Sequence, residues 1–354
     1  MLKKYIEERK IPDFFKGIDT KEKWEEKREE IKSLILREEY GFLPEKITPE
    51  ISIEKQGINF AGKADWESVF FTFEKDGKSH TVRTELILPK NKKNVPTFLF
   101  MDFESKVPSK YLPVEEILDG GFGMLAFCYK DVTDDNGDFK DGLCSLFCDS
   151  DGKCSFGKIS MWAYMAKCCM DYLETREQVG KVAVIGHSRL GKTALLASAL
   201  DDRFALTCVN ESGCSGASIT RGKTKENESV RDITRVFPFW FCNEYFKYID
   251  NEDDLPFDQH MLIALVAPRP VMIGGAILDV WADNEGQYLS CYLASKIWRL
   301  YGKEGLISKN QLPCVNDMFI EGDVCFHLRE GAHFLSRFDW NVYMKKFAEI
   351  LNAD

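Results

Sequence analysis

Histidine is scarce in this chain. Among 354 residues only His80, His187, His260, His327 and His333 exist, so any imidazole chemistry has to come from a short roster. Positive charge is also in deficit. The formal net charge of −10 argues against nucleic acid or an anionic membrane surface as the main partner. No apolar run approaches the roughly 20 residues needed to span a bilayer. Residues 1–16 are charged and lack a continuous apolar stretch, so no export signal is read there and a cytoplasmic location is expected. Internal repeats and low-complexity linkers are missing as well, which predicts one domain over 1–354, expected to act as a monomer. Cysteine is not lacking: there are 12, and Cys144, Cys148 and Cys154 cluster. No second pair follows at zinc-site spacing, so neither a metal nor a cofactor is expected. Cys168 and Cys169 sit in an amphipathic pattern and read as core. Free thiols in a reducing compartment are the expectation.

What is present is enough apolar surface for a large core, at 44% of residues. Residues 20–40 repeat Trp24, Ile31, Leu34 and Ile35 at helical spacing, and 1–60 reads as an N-terminal helical extension. Residues 67–75 and 80–89 read as two strands around a Lys-Asp-Gly-Lys turn. Strands covered on both faces are predicted at 95–103 and 123–129, and a helix at 158–174. Strands at 181–185, 204–209, 270–276 and 323–328 then alternate with helices at 192–200, 259–265, 286–301 and 338–351. That alternation predicts an α/β fold, a mainly parallel central sheet with helices on both faces. Two stretches, 130–156 and 212–258, read as insertions around the site. The first is rich in Asp, Gly and Cys and carries no functional assignment.

In such sheets ligands bind beyond the carboxyl ends of the strands. Four of those ends carry chemistry: Ser188, Glu211 in Asn210-Glu211-Ser212-Gly213, Asp279 in Leu278-Asp279-Val280-Trp281, and His333 in Gly331-Ala332-His333. Nucleophile, acid and histidine in that chain order match an acyl-transfer triad, in which a base activates the serine and a carboxylate fixes the base. Each residue alone has a plainer reading. Ser188 could be a turn residue, Glu211 or Asp279 a cap, and His333 a surface histidine. Their joint placement is what points to catalysis. His327 within a strand and His260 on a helix read as core or capping histidines. A second pattern overlaps the first. Gly186-x-x-x-x-Gly191-Lys192-Thr193 fits a phosphate loop, and residues 270–279 end in Asp279 like a Walker B strand. That nucleotide-binding alternative explains neither Glu211 nor His333, and much of the sheet precedes the loop.

The run Gly186-His187-Ser188-Arg189-Leu190-Gly191-Lys192 resembles the Gly-x-Ser-Arg-x-Gly-Lys signature of glucuronoyl esterases, carbohydrate esterase family 15 of the α/β-hydrolase superfamily. Similar stretches are Asn210–Ala217, Phe237-Pro238-Phe239-Trp240-Phe241, Leu255–His260, Ala267-Pro268-Arg269-Pro270, Asp279-Val280-Trp281-Ala282-Asp283 and Gly331-Ala332-His333. The resemblance implies a serine esterase that cleaves 4-O-methyl-glucuronoyl esters of lignin–xylan type, or their oligosaccharide fragments, through an acyl-enzyme. It makes Ser188 the nucleophile, His333 the base and Arg189 an oxyanion donor. The family places its acid at one of two positions, filled here by Glu211 and Asp279, with Glu211 preferred. Lys192, Glu228 and Trp281 fall where the family contacts the sugar, and Glu226 rivals Glu228 because 218–228 is longer than the usual pattern. Members of the family are usually exported, so either the chain is trimmed and the enzyme is secreted, or it works inside on imported oligosaccharide esters, the reading that fits free cysteines. Acetylated xylan on the same residues, or a non-catalytic carbohydrate-binding role, are the competing readings.

Overall fold

In the computed structural model residues 2–353 are described. Ten strands form one sheet: β1 Glu50–Lys55, β2 Ala64–Lys75, β3 Lys78–Pro89, β4 Val95–Asp102, β5 Gly123–Cys128, β6 Val179–His187, β7 Phe204–Asn210, β8 Val271–Ala276, β9 Met318–Phe319 and β10 Val324–Arg329. Their spatial order is β1-β2-β3-β5-β4-β6-β7-β8-β10-β9. The run β5-β4-β6-β7-β8-β10 is parallel. β1 to β3 join it antiparallel at one edge and β9 at the other. This is the expected α/β-hydrolase architecture.

Alternation along the strands shows why the sheet is covered on both faces. Leu99 and Met101 of β4 enter one core and Phe98 and Phe100 the other, and Val182 and Val184 of β6 are opposed to Ala183 and Ile185 in the same way. Helices Lys158–Glu174, Arg189–Leu200 and Asn284–Leu300 pack on the first face through Met161, Leu195 and Tyr288. Helices Val114–Asp119 and Arg337–Asn352 pack on the second through Ile117, Trp340 and Phe347. Burying each such side chain is worth about 1.5–3 kcal/mol, and Trp162, Trp298 and Trp340 are almost wholly buried.

The boundaries of the predicted elements differ little from the observed ones, with two exceptions. The extension over 1–60 is helical at Leu2–Glu8 and Lys21–Tyr40 but also supplies the edge strand β1, whose residues are mostly exposed and whose only apolar members are Ile51 and Ile53. The cysteines are not all free: Cys148 and Cys154 form a disulfide within the 130–156 excursion, while the remaining cysteines among the described residues are unpaired.

Candidate active site

Because β6, β7, β8 and β10 are parallel, their carboxyl ends share one rim. The ladder aligns His187 with Asn210, Asn210 with Gly274, and His327 with Gly274. Ser188 and Glu211 therefore leave the sheet at the same level, and Asp279 and His333 follow on the loops after β8 and β10.

Ser188 sits between β6 and the helix Arg189–Leu200 with φ 57 and ψ −127, a strained conformation for a residue with a side chain. Two glycines permit the turn. A Cβ on Gly186 would lie 2.0 Å from the Leu190 carbonyl oxygen, and one on Gly191 would crowd the Asn210 carbonyl oxygen at 3.1 Å. The Ser188 N–H is anchored on Asn210 O at 2.9 Å. The N–H of Arg189 lies in the first helical turn, where no intrahelical acceptor exists.

His333 faces two carboxylates. Its Nδ1 lies 2.7 Å from Asp279 Oδ2 and 3.2 Å from Glu211 Oε2, and only the former has hydrogen-bond geometry. By geometry Asp279, and not the Glu211 preferred in the sequence, is the carboxylate hydrogen-bonded to the ring. Glu211 is already engaged: Arg329 Nη2 donates to its Oε1 at 2.7 Å and the Phe334 N–H to its Oε2 at 3.1 Å. Arg329 also donates through Nε to Asp339 at 2.8 Å and through Nη2 to the Phe334 carbonyl, so it ties the His333 loop to the last helix. His327 completes this chain, 2.8 Å from Asp339, which is the core role expected of it. His260 is likewise buried, on the helix Gln259–Ala264. Arg329 and Asp339 carried no motif and were not singled out in the sequence; only the fold brings them behind Glu211.

The charges of the cluster follow from this arrangement. Burial lowers the His333 pKa, but the hydrogen bond to Asp279 and the close carboxylates of Asp279 and Glu211 outweigh it and hold the imidazole up to about 9. Burial pushes Glu211 up to about 7 against the pull of His333 and Arg329. Asp279 is also raised by burial, yet the bond to His333 leaves it below the ordinary carboxylate value. The neighbouring His187 ring, 4.4 Å from that of His333, is driven down to about 3, mainly by burial, and stays neutral beside the imidazolium. Glu211, Asp279 and His333 offer ligand atoms within 4.8 Å of one another, the spacing of a cation site. The fixed positive charge of Arg329 on Glu211 opposes a divalent ion there.

A cavity of about 340 Å³ is lined by Ser188, Arg189, Lys192, Glu211, Glu228, Asp279, Trp281 and His333, together with Ser212, Gly213, Phe237, Trp240 and Ala282. All eight candidate site residues thus meet in one place. Larger open grooves of about 710 and 640 Å³ lie beside Trp66 and Asp250, and neither contains a histidine. Glu228 reaches the cavity and the exposed Glu226 does not, which decides between those two rivals on position. Trp281 is 47% exposed and presents its ring at the mouth. Lys192 is almost fully buried, and its ammonium donates to the carbonyls of Ser212 and Cys214. Committed to two backbone acceptors, it is poorly placed to hold a nucleotide phosphate, which removes the main support of the phosphate-loop reading. Arg189 lies over the rings of Trp240 at 4.6 Å and Phe237 at 4.9 Å, and one of its terminal nitrogens pairs with Asp135.

A serine at a strained turn, an imidazole on a carboxylate and an adjacent guanidinium line one cavity, an arrangement suited to acyl transfer, and the similarity to known proteins agrees with that chemistry. The family model for fungal glucuronyl esterases matches residues 71–302. Carbohydrate esterase MZ0003, from an unknown prokaryotic organism, is 33% identical over 372 residues, covering 93% of this chain and 85% of that protein. A 4-O-methyl-glucuronoyl methylesterase of Podospora anserina is 27% identical over 297 residues, with 80% of this chain and 58% of the relative covered. Among solved structures, a glucuronoyl esterase from Solibacter usitatus superimposes with a TM-score of 0.83 at 31% identity, covering 92% of this chain and 93% of that one. With the fold shared over nearly its whole length and the sequence match spanning the serine turn and both carboxylates, this chain belongs to the glucuronoyl esterases of carbohydrate esterase family 15 and is an ester hydrolase.

Proposed function

We propose that this esterase cleaves 4-O-methyl-glucuronoyl esters by a serine mechanism, on lignin–xylan type linkages or their oligosaccharide fragments. Ser188 Oγ attacks the ester carbonyl carbon while its proton passes to His333. The oxyanion so formed is met by the Arg189 guanidinium and the Arg189 N–H, donors held in place before the charge develops. The carbon–oxygen bond to the alcohol then breaks, the departing oxygen takes the proton from His333, and an acyl group remains on Ser188. Water repeats the sequence and releases the uronic acid. Asp279, which makes the hydrogen bond to Nδ1, fixes the tautomer and balances the imidazolium. Glu211 adds a second negative charge and anchors the loop through Arg329. Trp281 and Glu228 supply an apolar face and an acceptor for a sugar ring.

The observation that carries this reading is the convergence of Ser188 at a strained elbow, His333 on Asp279, and Arg189, around one cavity. It is supported by the names of the relatives, which include 4-O-methyl-glucuronoyl methylesterases. The test is turnover of benzyl glucuronate by wild type and Ser188→Ala, beside an acetylated xylan of matched concentration. Loss of several orders of magnitude in kcat is expected for the variant. Wild-type turnover by Ser188→Ala defeats the mechanism, and faster turnover of the acetyl ester defeats the substrate.

A further inference from the structure

The excursion over 130–156 has no counterpart in the motifs that mark the catalytic residues, yet it delivers one side chain to the oxyanion group. Asp135 is held at 9% side-chain exposure by three donors. Arg189 Nη1 and the Tyr129 hydroxyl, the latter at 3.0 Å, share its Oδ2, and Trp240 Nε1 donates to Oδ1 at 2.7 Å. The indole of that same Trp240 lies under the guanidinium at 4.6 Å. Asp135 therefore grips Arg189 both directly and through the ring on which it rests. The Arg189 Nε is buried and has no acceptor, so the side chain keeps a donor in reserve.

We propose that Asp135 is a positioning residue for catalysis, and that the 130–156 excursion is built to hold Arg189 in its oxyanion-binding pose. The inference rests on the role given above to Arg189. An arginine directly after the nucleophile has a long, rotamer-rich side chain, and free rotation would spend its charge on solvent. Stabilising an oxyanion works only if the donor needs no rearrangement as charge develops. A carboxylate beside the guanidinium costs some of the positive potential the oxyanion feels. Two neutral donors, Tyr129 and Trp240, draw on the same carboxylate and limit that cost.

The experiment is a double-mutant cycle on benzyl glucuronate with Asp135→Asn, Arg189→Ala and the pair. Asparagine keeps the volume of Asp135 and can still accept from Trp240 through Oδ1, while its amide nitrogen in place of Oδ2 can donate to the Tyr129 hydroxyl; it loses the charge and the acceptor that hold Arg189. Asp135→Asn is expected to lower kcat about 10- to 100-fold, with KM within about twofold, because the oxyanion exists only in the transition state. In the Arg189→Ala background the same change is expected to cost less than about twofold. Unchanged kcat in Asp135→Asn alongside a crippled Arg189→Ala overturns the proposal. So does an equal loss in both backgrounds, which is what a merely structural residue gives. Full activity in Arg189→Ala instead removes the oxyanion role and this proposal with it. Should Asp135→Asn fail to fold, Tyr129→Phe decides, since it deletes one donor to Asp135 and keeps the ring packed on Trp162. A smaller, kcat-only loss supports the proposal, and wild-type kcat refutes it.

Discussion

The two carboxylates on His333 make its titration the sharpest available test of the site. A base that is to accept the Ser188 proton must first be neutral, and this imidazole keeps its proton up to about pH 9. Below that value kcat/KM should rise about tenfold per pH unit and then level off. The position of this limb depends on which charges remain. A full opposite charge at hydrogen-bond distance raises such a pKa by about 1–3 units. Asp279, at 2.7 Å with a true hydrogen bond, should account for the larger part. Glu211, at 3.2 Å and with its charge shared with Arg329, should account for the smaller. Asp279→Asn is therefore expected to move the limb down by about 2 units and Glu211→Gln by about 1. The plateau tells a second story. Loss of the triad carboxylate in a serine protease costs about 10⁴ in kcat. Here Glu211 stands ready at Nδ1, so Asp279→Asn should lose only about 10- to 100-fold and the double variant much more. The assay is kcat/KM on benzyl glucuronate from pH 5 to 10. Limbs that coincide in wild type and both single variants would show that neither carboxylate sets the proton affinity of His333. The group titrates as a unit, so the double variant is the control for a proton that simply moves between the acids.

Other outcomes follow from the same contacts. Arg329→Met leaves Glu211 and Asp339 buried without their shared cation, and should cost about 3–5 kcal/mol of stability in urea unfolding; a loss under about 1 kcal/mol would mean that the His333 loop is anchored elsewhere. Arg9→Ala strips one of two cations from the buried Asp283, whose other partner is Lys223. It should lower the melting temperature while kcat holds, since Arg9 bonds to Asp283 and neither lines the cavity. Trp281→Ala should raise KM for a glucuronate ester far more than it lowers kcat, the mark of lost ground-state binding. An unchanged KM would take the sugar off that ring. ATP with Mg²⁺ should show no binding at millimolar concentration, because the Lys192 ammonium is held by Ser212 and Cys214 carbonyls.

The strands of the parallel run were legible because their buried residues form short apolar blocks bounded by turn residues, and because helices alternate with them. The elbow was legible because its glycines mark the tight turn: a Cβ cannot fit at position 186 and would be crowded at 191. The edge strand β1 was not, since it is mostly solvated and paired on one side, and two alternating isoleucines in six residues are a weak signal. Arg329, Asp339 and Asp135 gave no signal either, because an ion pair across 118 residues, as between Arg329 and Glu211, leaves no mark in local spacing.

The sequence alone determined the candidate inventory: which strand ends carry a serine, a histidine and two acids, and the order in which the chain presents them. Local chemistry suffices for that, because a strand, a tight turn and a helix start are each written in neighbouring residues. Only the tertiary structure decided which acid bonds to His333 and which to Arg329, that Glu228 rather than Glu226 reaches the cavity, and that a loop starting near residue 130 returns to grip Arg189. These outcomes depend on distances between segments far apart in the chain, which are set by how the sheet and its helices pack and not by any stretch of sequence read alone.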